Sequence, residues 1–68
     1  MKSVTGKEFA RVLERHGWTL KRIKGSHHIY AKDGRIERIS VPVHAGKPLK
    51  AGILNYLLKT AGLTEEEI

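Results

Sequence analysis

A chain of 68 residues with 13 Lys and Arg, 7 Asp and Glu, four His and no Cys is expected to form one domain, residues 1–68, with a thin core and no disulfide framework to support it. No apolar run approaches the roughly 18 residues that span a bilayer, and no apolar leader opens the sequence, so a cytoplasmic location is the expectation. Three of the acids, Glu65 to Glu67, close the chain, which leaves residues 1–64 with a net charge of +9. A field of that sign concentrates around polyanions, so nucleic acid is the first partner to expect and an acidic protein the second.

Thr5 and Glu8 stand in the T-x-x-E spacing of a capping box, and Val4 precedes the cap where it can staple onto Phe9. A helix starts there, with Phe9, Val12 and Leu13 on one stripe and Lys7, Arg11, Glu14 and Arg15 mostly away from it. Gly17 ends it as a left-handed cap, and His16 is a last-turn residue favoured by the helix dipole. Trp18 to Lys24 reads as extended, with Trp18 and Leu20 on one face and Thr19, Lys21 and Ile23 on the other; Trp18, directly after the cap, belongs to the core. Gly25-Ser26 turns the chain, and His27 to Lys32 forms a second strand. Asp33-Gly34 predicts a two-residue hairpin into a third strand from Arg35 to about Val43, near whose end Pro42 forfeits a donor with little harm. Ile39, Val41 and Val43 share one face of it.

His44 to Leu49, with Gly46 and Pro48, is a loop leading to a second helix over roughly Lys50 to Ala61. Leu49, Ile53, Tyr56, Leu57 and Ala61 recur at helical spacing, Gly62 caps the end, and Leu63 follows where a Schellman turn makes its apolar contact. Thr64 and Glu67 repeat the capping-box spacing and open a short third helical segment. The predicted fold is therefore α+β in the order α-β-β-β-α, a three-stranded antiparallel sheet with two helices on one face, a layout shared with the double-stranded-RNA-binding domain. The other face stays open to hold RNA.

Adjacent strand residues point to opposite faces, so His27 and His28 have different tasks if the strand is regular there. RNA carries its own nucleophile, the 2′-hydroxyl. A ribonuclease thus needs a base for that proton, an acid for the leaving 5′-oxygen and cations for the phosphorane charge, and requires no metal or other cofactor. Histidine, with an ordinary pKa of about 6.5, suits the proton transfer. His27 is the candidate catalytic residue, with His28, Lys24 and Tyr30 as alternatives for the second proton-transfer group. Lys21, Arg22, Lys24 and Lys32 supply phosphate-attracting charge around it. Gly25 can let the backbone approach a phosphate and Ser26 can donate to it, although a turn glycine and a turn-capping hydroxyl explain both equally well. Tyr30 is either a base-stacking residue or core. Lys47 and Lys50, around the start of the second helix, can grip phosphate, and His44 is a weaker candidate for proton transfer or RNA contact.

Gly17-Trp18, then Lys24-Gly25-Ser26-His27-His28 with Tyr30, then Val41-Pro42 with His44, then Lys47, Leu49, Gly52, Leu54 and the closing Ala61-Gly62-Leu63 together resemble the HicA, or YcfA-like, toxins over nearly the whole chain. The resemblance implies a ribosome-independent mRNA interferase with a double-stranded-RNA-binding-domain-like fold, whose essential histidine follows Gly-Ser, the position of His27. It also implies a HicB-like antitoxin that binds the toxin and blocks its site, in a pair that restrains growth under stress. Ile53 departs from the pattern, since family members often carry Thr after the glycine at Gly52. The rival from another class is a non-catalytic RNA- or DNA-binding module using the same basic sheet, and a third reading is a docking domain for an acidic protein. An enzyme loses turnover but keeps binding when His27 is replaced, whereas a pure binder has no turnover to lose.

Overall fold

Each boundary of the first helix is set by local chemistry. The Thr5 hydroxyl accepts the Glu8 N–H at 3.1 Å while the Glu8 carboxylate accepts the Thr5 N–H at 2.9 Å, so the capping box is closed in both directions. In this computed structural model, which describes residues 3–68, the helix is α1 (Gly6–Arg15), and His16 and Gly17 end it. Val4 and Phe9, the two halves of the staple, are both buried in the core. After α1 come β1 (Thr19–Lys24), β2 (His27–Ala31), β3 (Arg38–Pro42), α2 (Ala51–Ala61) and a closing 3-10 turn, Glu65–Glu67.

The three strands form one antiparallel sheet in the order β1-β2-β3. Residues opposite one another in such a ladder share a face. Tyr30 lies opposite Leu20 and Ile39, and His28 opposite Ile23 and Val41, which defines the helix side. His27 lies opposite Lys24 and Pro42, Ile29 opposite Arg22 and Ser40, and Ala31 opposite Thr19 and Arg38, which defines the open side. Pairing shifts between Leu20 and Arg22, so Lys21 is the extra residue of a bulge. An added residue inverts the alternation beyond it. Ile23 therefore shares the face of Leu20, contrary to the sequence expectation, and both remain exposed on this edge strand, at 57% and 38%.

Phe9, Ala10 and Leu13 of α1, Trp18, Tyr30, Ile39, Val41 and the α2 residues Leu54, Leu57, Leu58 and Ala61 form a single core between the helices and one sheet face. The side that α2 turns inward differs from the predicted stripe, since Ile53 and Tyr56 are 40% and 69% exposed. Residues 53–58 read Ile-Leu-Asn-Tyr-Leu-Leu and offer two apolar stripes one position apart. Packing against β3 selects Leu54, Leu57, Leu58 and Ala61, spaced i, i+3, i+4, i+7. The Gly62 cap forms as predicted, with the Leu63 N–H donating to the Leu58 carbonyl at 2.9 Å and Leu63 packed on the core. Thr64 and Glu67 close their capping box around the terminal 3-10 turn.

The two connections within the sheet contrast. Gly25-Ser26 is a two-residue hairpin loop between paired Lys24 and His27, with Gly25 at φ 60° in the first central position where a type II′ turn requires it. At Asp33-Gly34 the turn also forms, the Arg35 N–H donating to the Lys32 carbonyl at 3.1 Å, but only Gly34 has positive φ. The type I′ geometry that would carry the strands straight on needs positive φ at both residues. Pairing consequently resumes only at Arg38, not at Arg35 as expected, and Lys32 to Glu37 form the connection. Arg35 anchors that loop. Its guanidinium lies 5.6 Å from the centroid of the Trp18 ring, donates to the Thr60 carbonyl at 2.9 Å and pairs with Glu37 at 3.0 Å.

Candidate functional site

The open face is built by alternation. Strand residues 19, 22 and 24 of β1, 27, 29 and 31 of β2, and 38, 40 and 42 of β3 point away from the helices. They include Arg22, Lys24 and Arg38, and no residue of the three strands is acidic. The nearest acids in sequence, Asp33 and Glu37, lie in the β2–β3 connection at the far end of β2 from His27, and the Glu37 carboxylate is already paired with Arg35. The His27 end of the face, with Arg22 and Lys24, is thus cationic and has no acid in its strands.

His27 begins β2 directly after the hairpin turn. Its Nδ1 is 3.0 Å from the Ser40 hydroxyl on β3. Lys24, Ile29 and Ser40 surround it and line with it a shallow depression of roughly 320 Å³. The turn is tied to the end of β3 by a 2.7 Å bond from the Val43 N–H to the Ser26 carbonyl, so the His27 backbone is held on both sides. Because Nδ1 faces Ser40, Nε2 is the ring nitrogen left for a substrate. Arg38 and Ser40 were missed by sequence reasoning. The predicted alternation, with Ile39 and Val41 on one face, already put both on the other, but only the register of β3 against β2 sets Ser40 beside His27.

His28 occupies the other face. It lines a groove with Lys7, Arg11, Glu14, Leu20 and Tyr30, between α1 and the sheet. The structure therefore does not bring His28 to the site of His27, and the same holds for Tyr30. The Tyr30 ring is 2% exposed and packs in the core, so it has no face free for a base. Burial, followed by the Glu14 charge and a hydrogen bond with Glu14, raises the pKa of its hydroxyl above the ordinary tyrosine value. Of the three candidates for a second proton-transfer group, only Lys24 shares the face of His27.

The remaining predicted contacts divide. Arg22 and Lys24 are on the open face, Gly25 and Ser26 form the turn beside it, and Lys21 sits in the bulge of β1. Lys32 follows the opposite end of β2, where its side chain passes close to Gly17, so it is remote from His27 along the strand. Lys47 and Lys50 line, with Pro42, His44 and Ile53, a second pocket of roughly 290 Å³. Tertiary contacts bring that pocket to the His27 end of the sheet. Gly6 at the start of α1 lies so close to the Pro42 carbonyl that a Cβ there would collide with it. The Val4 carbonyl then accepts the Leu49 N–H at 2.7 Å, and Thr5 bridges to Pro48. Pro42, the ladder partner of His27, is the wall common to the strand end and the pocket.

Among the described residues no group of three or more His, Cys, Asp or Glu is arranged to hold a metal ion, and no helix is long and apolar enough to cross a membrane. A family model for the HicA toxin of bacterial toxin-antitoxin systems matches residues 6–63. No curated protein matches the chain.

Proposed function

The chain belongs to the HicA toxin family, the toxin half of a toxin-antitoxin pair, and on that footing we propose that it is an endoribonuclease that cuts mRNA with His27 as its proton-transfer residue. The single observation that carries this reading is the His27 ring, exposed on an acid-free cationic face and oriented by Ser40 at 3.0 Å. Arg22, Lys24 and Arg38 hold the RNA backbone across the open face. The free Nε2 of His27 takes the proton of a 2′-hydroxyl, whose oxygen attacks the adjacent phosphorus. The bond from phosphorus to the 5′-oxygen breaks, and the leaving oxygen takes a proton, leaving a 2′,3′-cyclic phosphate. The Lys24 ammonium, the register partner of His27, stabilises the phosphorane charge and is the group on this face able to supply that proton. No metal or other cofactor enters these steps. The partner is a HicB-like antitoxin that covers the same face, and an mRNA substrate sets the site of action in the cytoplasm.

Induced expression of the wild-type chain and of His27→Ala in a bacterial host, at equal protein levels, tests the reading. Growth arrest and loss of a reporter mRNA with the wild type alone are expected, with rescue by a co-expressed HicB-like protein. Two harmless proteins that bind RNA equally well would replace it with a non-catalytic nucleic-acid-binding module, which the same cationic face would serve.

A further inference from the structure

The pocket at the start of α2 has a composition that phosphate binding alone does not explain. Its walls are Pro42, Pro48 and Ile53, and its rim carries His44, Lys47 and Lys50. No acid lines it. Ile53 is a large apolar side chain 40% exposed on the outer side of α2, and its helix buries a different stripe, so core packing does not account for it. An apolar slot with a cationic rim matches an unpaired nucleotide, which presents a flat, weakly hydrated base and a charged phosphate a few ångströms away. Pro42 joins the two sites. It is both the ladder partner of His27 and a wall of the pocket, so a strand whose scissile phosphate rests at His27 has its next nucleotide within reach of the slot.

We propose that this pocket is a nucleobase subsite that seats the unpaired base flanking the scissile phosphate, with Pro42, Pro48 and Ile53 against the base and Lys47 and Lys50 on its phosphate. The inference rests on the ribonuclease reading for its alignment with His27, but binding in the pocket is measurable without cleavage. The subsite makes the enzyme select single-stranded RNA, because a base held in a duplex cannot enter the slot.

The test uses short 2′-O-methyl RNA, which lacks the nucleophile, in a base-bearing form and in a form with one abasic position stepped along the strand. The wild-type chain is expected to bind the base-bearing strand at least about fivefold more tightly than the strand abasic at one particular position, the lower end of what a stacked base contributes. Ile53→Lys, which removes the apolar wall, is expected to weaken binding of the base-bearing strand toward that of the abasic one and so to lose that discrimination. Circular dichroism checks that the exposed site tolerates the change. Equal affinity for all strands, discrimination undisturbed by Ile53→Lys, or no binding of any strand overturns the subsite, the last leaving the pocket to a protein partner. The two readings fail separately: discrimination without cleavage of ordinary RNA sinks the nuclease and keeps the subsite, while His27-dependent cleavage without discrimination does the reverse.

Discussion

On the helix side of the sheet Tyr30, Ile39 and Val41 are 2%, 1% and 0% exposed, whereas on the open side Arg22, Lys24, His27, Arg38 and Ser40 stand in water. The same three strands make both sides, and residues one position apart belong to different machines. His27 and His28 are neighbours in the chain, yet the first lies beside Lys24 and Ser40 and the second beside Glu14 and Tyr30. In a domain this small every strand must serve packing and chemistry at once, and the period of two keeps them apart. The core face tolerates little change in volume, while the open face is free to be shaped by charge.

The contrast is broken most sharply at the two histidines. His27→Ala is expected to lower RNA cleavage by about 10²–10⁴-fold with little change in thermal midpoint, since it removes an exposed group. His28→Ala is expected to do the opposite, keeping cleavage and lowering the midpoint. Cleavage of a labelled RNA and a thermal melt on the same samples decide both, and loss of cleavage in His28→Ala would end the separation of roles.

Across the sheet from that site, Ile39→Ala is expected to cost about 2–5 kcal/mol, a large part of the roughly 3–10 kcal/mol that holds a chain of this length together. Urea unfolding reads it directly, and a loss below about 1 kcal/mol would mean that the core does not close over β3 as described.

A sharper contrast comes from charge. Arg22→Ala with Arg38→Ala is expected to leave the thermal midpoint nearly unchanged. If both side chains touch phosphate, it should reduce the slope of log affinity against log salt by about 1.4 for a single strand. An unchanged slope would move the RNA off this face.

Ser40→Ala removes the partner of His27 Nδ1, and Ser40 acts through that ring as a positioning residue. Cleavage is expected to fall about 2- to 10-fold with a displaced pH profile, and Ser40→Thr to restore both. A wild-type profile in the alanine variant would show the contact to be idle.

Tyr30→Phe gives the smallest change, at most about 1 kcal/mol, since it removes only the hydroxyl and keeps the buried ring. The native pKa of Tyr30 is raised, chiefly by burial, so the stability this group contributes is complete below the ordinary tyrosine value of about 10 and is lost as pH rises through the native one. Denaturation midpoints between about pH 8 and pH 11 are expected to fall less steeply in the phenylalanine variant. A base-stacking Tyr30 would instead lower RNA affinity at neutral pH when replaced.

Much of the molecule was legible from short-range chemistry, which depends on residues three or four apart. The Thr5 and Thr64 capping boxes, the Val4 to Phe9 staple, the Gly25-Ser26 turn, the Gly62 cap with Leu63, and the order of helices and strands all formed where the spacing put them. The opposition of His27 and His28 followed from strand alternation alone. What could not be read were the choices between equivalent local options. Ile23 changed face because one bulge residue at Lys21 inverted the phase, and no residue type in β1 announces a bulge. Tyr30 was amphipathic enough for either face.

The sequence by itself determined the fold class, the positive field and the place of His27 at a hairpin mouth, because caps, turns and net charge are properties of short segments and of composition. Only the tertiary structure decided which stripe of α2 is buried, that Tyr30 belongs to the core, that Ser40 meets His27, and that His44, Lys47 and Lys50 gather next to Pro42. Those outcomes depend on where distant segments meet, such as Gly6 against the Pro42 carbonyl and Val4 against Leu49. Local spacing carries no record of such contacts, since they are selected by burying the most apolar surface of the chain as a whole.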